Sequence, residues 1–128
     1  MIILMTTLSG CAVPPLQLRF VENPIPPTPT GVSEINTVSV IPQLLIQAST
    51  VYPYVFRKRN IGGESLIWFI VRADGSVTNA AIVKATEIHF GEAARDAILH
   101  YRFSPALVDG KPVDCAMTLP IIFSADPN

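Results

Sequence analysis

The side chains that could carry chemistry are few, and their spacing does not assemble a catalytic or metal-binding site. His89 and His100 stand eleven positions apart, whereas histidines that share a metal on one helix are typically about four apart. Cys115 falls on the apolar phase of a predicted strand, without a basic helix end nearby, and is expected to be a buried, inert thiol. The sequence has no nucleophile elbow, phosphate-binding loop or paired carboxylates. It therefore predicts a protein that is not an enzyme and that needs no metal and no cofactor.

The run Arg57-Lys58-Arg59 is a local concentration of positive charge. It follows Tyr52-Pro53, which can open a short helix, so the three cations would lie in the last turn, where they suit the helix dipole. A solvated, capping role is one interpretation, and a docking patch for lipid phosphate or an acidic partner is the other. The net charge of −1 and the lack of aromatic residues interleaved with basic ones argue against nucleic acid as a partner.

Two apolar runs, residues 64–72 and 77–85, flank Asp74-Gly75, and this arrangement is a strong signal for a β-hairpin. The alternation of the second run shifts near Asn79 or Ala80, which suggests a bulge. Beyond the hairpin the apolar period changes to i, i+3, i+4, and this predicts an amphipathic helix over residues 92–102.

Residues 113–124 alternate again, and their core-facing set is fully apolar. Pro120 has no N–H to donate, so it marks this last strand as an edge strand. The order helix, strand, strand, helix, strand predicts an α+β domain, in which a three-stranded antiparallel sheet carries two helices on one face.

Prolines are concentrated near the N-terminus: six of the twelve lie between Pro14 and Pro29. Proline fixes φ and removes a backbone donor, so a Pro-rich extended linker is predicted over residues 11–37. Apolar residues resume at Val38, and the folded domain is expected over residues 38–128. No run of about 18 apolar residues occurs, which excludes a transmembrane helix in the sequence given.

The first eleven residues resemble a bacterial lipoprotein signal, because an apolar stretch precedes the lipobox-like motif Leu8-Ser9-Gly10-Cys11. The resemblance implies that residues 1–10 are a signal peptide and that Cys11 carries lipid, which would anchor the protein firmly in a membrane. The alternative is an apolar tail with an incidental cysteine.

A second resemblance covers residues 43–125. In order, the segment contains YP at 52–53, a glycine at 63, DG at 74–75, AA at 93–94, YRFSPA at 101–106, GKPV at 110–113 and a closing LPIIF. This set resembles the TonB C-terminal domain family. The sequence departs from the family at Tyr101, where tryptophan is usual, and at Gly91, where an aspartate N-cap is common; glycine also caps acceptably.

The family resemblance implies a periplasmic adaptor without enzymatic activity. Domains of this kind bind an extended peptide of an outer-membrane receptor by adding it beside the last strand, which agrees with the pairing capacity of any exposed edge. The expected partner-binding residues on this strand, 114–123, are Asp114, Ala116 and Thr118. Since Ala12 is not the aspartate that retains lipoproteins on the inner membrane, an outer-membrane anchor is favoured.

The first hairpin strand leaves a second apolar set, Leu66, Trp68 and Ile70, on the face away from the helices. Such a patch usually marks an interaction site, so these residues are further partner-binding candidates. Either residues 38–46 or another molecule is expected to cover Trp68. A domain of this size buries a modest core, which makes a homodimer plausible. The alternative function is a structural subunit of an envelope secretion or conjugation complex.

Overall fold

A computed structural model of the protein describes residues 17–124, and it centres on the predicted hairpin. In chain order the elements are β1 (Val21–Glu22), β2 (Ser33–Glu34), a 3-10 turn (Ile35–Thr37), β3 (Gln43–Ile46), α1 (Tyr54–Lys58), β4 (Gly63–Val71), β5 (Val77–Ala85), α2 (Ile88–Ile98), β6 (Arg102–Ser104), β7 (Ala106–Val108), β8 (Lys111–Val113) and β9 (Cys115–Phe123). Among these residues, no helix is long and apolar enough to cross a membrane.

The Asp74-Gly75 turn joins β4 to β5 as predicted. The Asp74 carboxylate accepts hydrogen bonds from the backbone N–H and the hydroxyl of Ser76, at 2.9 and 2.6 Å. Gly75 has φ +90°, and a Cβ there would lie 2.2 Å from the carbonyl oxygen of Phe103, so only glycine fits. The expected bulge is confirmed at Asn79, which has φ +57° where the register of the hairpin shifts.

The main sheet is larger than the three antiparallel strands predicted. β9 pairs with β4 over its full length, from Gly63 opposite Phe123 to Val71 opposite Cys115, and this part is confirmed. Two short strands extend it to the order β1-β5-β4-β9-β2, and β2 runs parallel to β9. The fold is therefore a five-stranded mixed sheet, because each edge of the predicted sheet accepts two residues from the N-terminal segment.

Both helices cover one face of this sheet, as expected. Ile67, Phe69 and Val71 of β4 face them and are essentially inaccessible to solvent. Around them the aromatic rings of the helices and of β9 pack together, with Phe90 stacked on Phe123 at a centroid distance of 4.7 Å. The main hydrophobic core thus lies between β4 and the two helices.

The second helix begins and ends four residues earlier than predicted. Its N-cap is Glu87, whose side chain accepts a hydrogen bond from the backbone N–H of His89. Gly91 therefore lies inside the helix, where a Cβ would approach Ile82 and Ala85 to 3.0–3.1 Å. Its role is close packing of α2 on β5, and not capping.

The Pro-rich segment, residues 17–37, is extended but it is not a free linker. We call it the leader. Val21 pairs with Ala85 on one edge of the sheet, and Ser33 pairs with Cys115 on the other. Prolines remove donors only at their own positions, and an edge pairing needs only one side of the added strand, so the short proline-free stretches of the leader can still join the sheet.

Residues 38–46 lie outside the main sheet, beside β6 and β7, which follow α2 in the chain. β3 pairs with β6, and Val40 forms a bridge with Leu107. The apolar side chains of β3 remain largely exposed, with Leu45 at 65% and Ile46 at 62%. This segment therefore does not cover the sheet face that carries Trp68.

Candidate functional site

The outer side of β9 offers a long unpaired stretch of sheet edge in the described part of the chain. β2 pairs only with Cys115 and Ala116. From Met117 to Phe123 no other strand pairs with this side within residues 17–124. We call this stretch the open edge. Exposed edges of this kind present backbone donors and acceptors that a further strand can use.

The direction of each backbone group on the open edge follows from one hydrogen bond. The N–H of Ser33 donates to the carbonyl oxygen of Asp114 at 2.9 Å, so Asp114 directs its backbone groups outward. Backbone groups alternate sides along a strand, and the register of β9 with β4 is unbroken. Thr118, Pro120 and Ile122 therefore also direct their backbone groups outward.

Pro120 occupies a position where its missing N–H costs the sheet nothing. The residue lies opposite Leu66 but directs its nitrogen away from β4, so the β4–β9 ladder keeps its hydrogen bonds. The open edge then provides two outward N–H groups, from Thr118 and Ile122, and three outward carbonyls. Because both kinds of group are present, an extended peptide can both donate and accept along this edge.

Two hollows flank the open edge. One, of about 500 Å³, lies between residues 47–50 and residues 120–122. The other, of about 300 Å³, lies between the leader, at Ile25, Thr28 and Glu34, and the start of the edge at Ala116, Met117 and Thr118. A strand added to β9 would therefore have space for side chains near both ends of the open edge.

The structure separates the three partner-binding residues predicted on the last strand. The Asp114 carboxylate accepts a hydrogen bond from the N–H of Ala73 at 2.7 Å, and its backbone oxygen is used by Ser33. Ala116 is buried and pairs with Glu34 of β2. Thr118 is exposed and belongs to the open edge. Asp114 and Ala116 are therefore already engaged, by the leader and by Ala73. The alternation of the strand alone does not reveal these contacts.

Two residues of the open edge were not among the predicted partner-binding residues. Pro120 and Ile122 are both exposed, and Ile122 keeps 66% of its surface accessible. The signal was present in the alternation of the strand, since both share the phase of Thr118. The length of the open edge could not be predicted from this alternation, because it depends on where β2 ends.

The second predicted set, on the outer face, is covered by the leader. Trp68 is 5% exposed and Ile70 is 3% exposed, and they form a small second core with Val83 and Ala116. Val32 of the leader packs against this cluster, and Leu66 is half-buried at its margin. Trp68 is therefore shielded, but neither of the two expected covers provides the shield. While the leader is in place, Trp68 and Ile70 are unavailable to a partner.

A buried carboxylate fixes the leader to the domain. Glu87 is 1% exposed, and its side chain accepts hydrogen bonds from the N–H of Arg19 at 2.5 Å and from the N–H of His89 at 2.9 Å. Burial alone would raise the pKa of Glu87, but these two backbone donors and the His89 side chain outweigh it, and the pKa lies below its ordinary value. The charged form of Glu87 therefore stabilises the attachment of the leader.

The remaining reactive side chains have structural surroundings. Cys115 is fully buried, and burial raises the pKa of its thiol, as expected for an inert cysteine. His100 lies within hydrogen-bond distance of the carbonyl oxygen of Asp96 at 3.0 Å, and His89 contacts Glu87. No group of side chains in the described residues has the composition of a metal site. The proposed lipidation site, Cys11, lies outside the described residues.

The fold and its open edge define a small α+β module in which the last strand offers a sheet edge for pairing. The profile of the Gram-negative bacterial TonB protein C-terminal family matches residues 48–125, and the chain belongs to this family. Domains of this family are periplasmic protein-interaction modules rather than enzymes, and this gives the chain a TonB-related interaction role in the cell envelope.

Similarity to solved structures supports the fold. The solution NMR structure of the Pseudomonas aeruginosa TonB CTD matches with a TM-score of 0.59 and 23% sequence identity, over 77% of this chain and 99% of that chain. No curated protein matches the chain.

Proposed function

We propose that this protein binds an extended peptide from an outer-membrane receptor, or from another envelope protein, by strand addition to the open edge. The observation that supports it is the outward direction of the backbone groups of Thr118, Pro120 and Ile122, with space for side chains near both ends of the open edge. Backbone pairing would supply affinity, and the hollows would select side chains of the peptide.

The matched substitutions Thr118→Pro and Thr118→Ala test this proposal. Thr118→Pro removes an outward N–H without disturbing the β4 ladder, as Pro120 already does at the next outward position. Thr118→Ala removes the same side chain but keeps the N–H. Receptor N-terminal peptides of the same organism would be titrated by calorimetry onto wild type and both variants.

We expect wild type and Thr118→Ala to bind alike, and Thr118→Pro to bind at least tenfold more weakly, since one backbone hydrogen bond is lost and its partner is left unpaired. Thermal unfolding of both variants controls for stability. If no peptide binds more tightly than about 1 mM, a binding free energy of only about 4 kcal/mol, the proposal is wrong.

The proposal includes a lipid anchor at Cys11, following cleavage of residues 1–10, with the outer membrane as its location. The lipobox-like sequence Leu8-Ser9-Gly10-Cys11 supports it. Metabolic labelling with a clickable fatty acid, followed by membrane fractionation, is the test. We expect label in the outer-membrane fraction that is lost in Cys11→Ala. Equal labelling of the two proteins would refute the anchor.

A second candidate function is a structural subunit of an envelope secretion or conjugation complex. The exposed apolar residues of β3, together with Val51, which is 75% exposed, favour it. Since no charged residue occurs from Ile35 to Phe56, this surface would suit a permanent interface. Affinity purification from membranes distinguishes the two functions. A stoichiometric partner that stays bound in high salt favours the structural subunit. If no stoichiometric partner is recovered in low or in high salt, peptide docking is favoured.

A further inference from the structure

The first described residues of the leader lie at one particular end of the domain. The N–H of Arg19 is bound by the Glu87 carboxylate, and its carbonyl oxygen accepts from the N–H of Ile88 at 2.9 Å, at the start of α2. Eight residue steps lead from Cys11 to Arg19. Even fully extended, they reach about 28 Å. If Cys11 carries the lipid, the domain is held close to the membrane surface, with this end nearest to it.

The short helix α1 lies at the same end. The Phe56 ring packs on His89 and Phe90, at centroid distances of 5.9 and 5.1 Å. Arg19 forms hydrogen bonds with Glu87 and Ile88, so α1 and Arg19 both lie against the start of α2. We call this surface, made of α1, Arg59 and residues 18–20, the basic end. It carries the run Arg57-Lys58-Arg59, for which the sequence leaves a capping role and a docking role open.

The basic side chains of this surface are exposed and unengaged by acids. Arg57, Lys58 and Arg59 are all exposed, and within residues 17–124 none of them forms an ion pair. Arg57 and Lys58 instead lie over the Tyr54 ring, at 5.9 and 5.8 Å from its centroid. Of the nearby acids, Glu22 pairs with Lys84 and Glu87 is buried beneath the leader, whereas Glu64 and Glu92 are exposed and form no ion pair within residues 17–124.

Exposed aromatic and aliphatic side chains accompany the cations. Tyr54 is 65% exposed, Phe20 is 62% exposed and Leu18 is 42% exposed. Cations mixed with amphipathic aromatic and aliphatic groups match the boundary between lipid headgroups and acyl chains. An acidic protein would explain the cations, but it would not explain the exposed apolar surface of Leu18, Phe20 and Tyr54.

We propose that the basic end docks on anionic phospholipid headgroups of the membrane that holds the anchor. The orientation rests on the proposed lipid at Cys11, whereas the binding itself does not. Phe123, at the end of β9, stacks on Phe90 of α2, so the open edge runs toward this end. Docking would then hold the open edge within reach of a peptide that emerges from a receptor in the same membrane.

The test uses the mature chain, residues 11–128, with Cys11→Ser, so that neither the apolar signal peptide nor a lipid drives binding. Sedimentation would measure partitioning onto vesicles of phosphatidylethanolamine with phosphatidylglycerol, and onto vesicles of phosphatidylcholine alone. The variant R57A/K58A/R59A removes the cluster. Its matched control, R72A/R102A/K111A, removes the same charge from three exposed positions outside the basic end.

We expect wild type to prefer the anionic vesicles and to lose this preference in high salt. Each basic residue near an anionic surface contributes roughly a fivefold increase in partitioning, so the cluster variant should lose about a hundredfold and the control should change little. The variant K58Q/R59Q, with an expected loss of about twenty-five-fold, serves if the triple variant is unstable.

Equal losses in the two triple variants would show an unspecific charge effect and would overturn the proposal. So would equal binding of wild type to anionic and neutral vesicles. Peptide titration of the same variants separates this proposal from peptide docking: the cluster variant should keep the wild-type affinity for peptide, because the open edge is intact in it.

Discussion

Removing the leader should expose Trp68 and destabilise the domain. Trp68 is the only tryptophan of the chain, so its fluorescence reports this site alone. It is 5% exposed, and Val32 of the leader packs on the cluster that contains it. A buried tryptophan hides about 150–250 Å². If the leader hides about half of that, its removal costs about 2–3 kcal/mol at about 25 cal/mol per Å², as an upper limit, since the released chain regains conformational entropy.

The assay compares a chain that begins at Gln17 with one that begins at Val38, which is where the sequence predicted the domain to start. We expect red-shifted emission and easier acrylamide quenching in the shorter chain, with a lower midpoint of urea unfolding. In the complete chain, Val32→Asp should shift the emission in the same direction, because Val32 packs on the Trp68 cluster. Val40→Asp is the matched control, at an exposed valine outside this cluster. Identical emission from the two chains at monomeric concentration would refute the assignment of the leader as the cover of Trp68.

Two further predictions concern the turn and the buried carboxylate. Gly75→Ala should lower the free energy of unfolding by about 2 kcal/mol or more, because the new Cβ meets the Phe103 carbonyl, whereas Gly110→Ala, with φ +79° and open space, should cost about 1 kcal/mol. Denaturant unfolding measures both free energies. Equal losses for the two variants would contradict a steric clash between the new Cβ at position 75 and the Phe103 carbonyl. The pKa of Glu87 is lowered in the folded state, so its stabilisation is present above the ordinary carboxyl pKa and is lost as pH falls through the folded value. Glu87→Gln should therefore make the free energy of unfolding less dependent on pH on the acid side. An unchanged pH dependence would show that Glu87 does not contribute to it.

The sequence predicted the elements whose signals are local. The Asp74-Gly75 turn, the alternation of β4 and the edge character of Pro120 all depend on residues within a few positions of each other, and the structure has each of them. The two helices on one face were also predicted, because the apolar residues of β4 and α2 define complementary surfaces.

The leader was missed because its signals are not local. β1 and β2 are two residues long, too short to show a period, and only their partners on β5 and β9 define them as strands. The start of α2 was displaced for the same reason, since the Glu87 cap is completed by Arg19, which lies 68 residues away in the chain. The predicted edge strand began at Asp114, whereas the open edge in the structure begins after Ala116, because β2 pairs with Cys115 and Ala116.

Amide hydrogen exchange of the open edge tests the central claim most directly. In the peptide complex, the outward N–H groups of Thr118 and Ile122 should become protected, since a bound strand accepts their hydrogen bonds. The N–H groups of Met117 and Leu119, which point toward β4, should change much less, and so provide an internal control. Protection of both outward groups by peptide is the result that strand addition predicts. Peptide binding that leaves both of them unprotected, or that protects β3 instead, would contradict it.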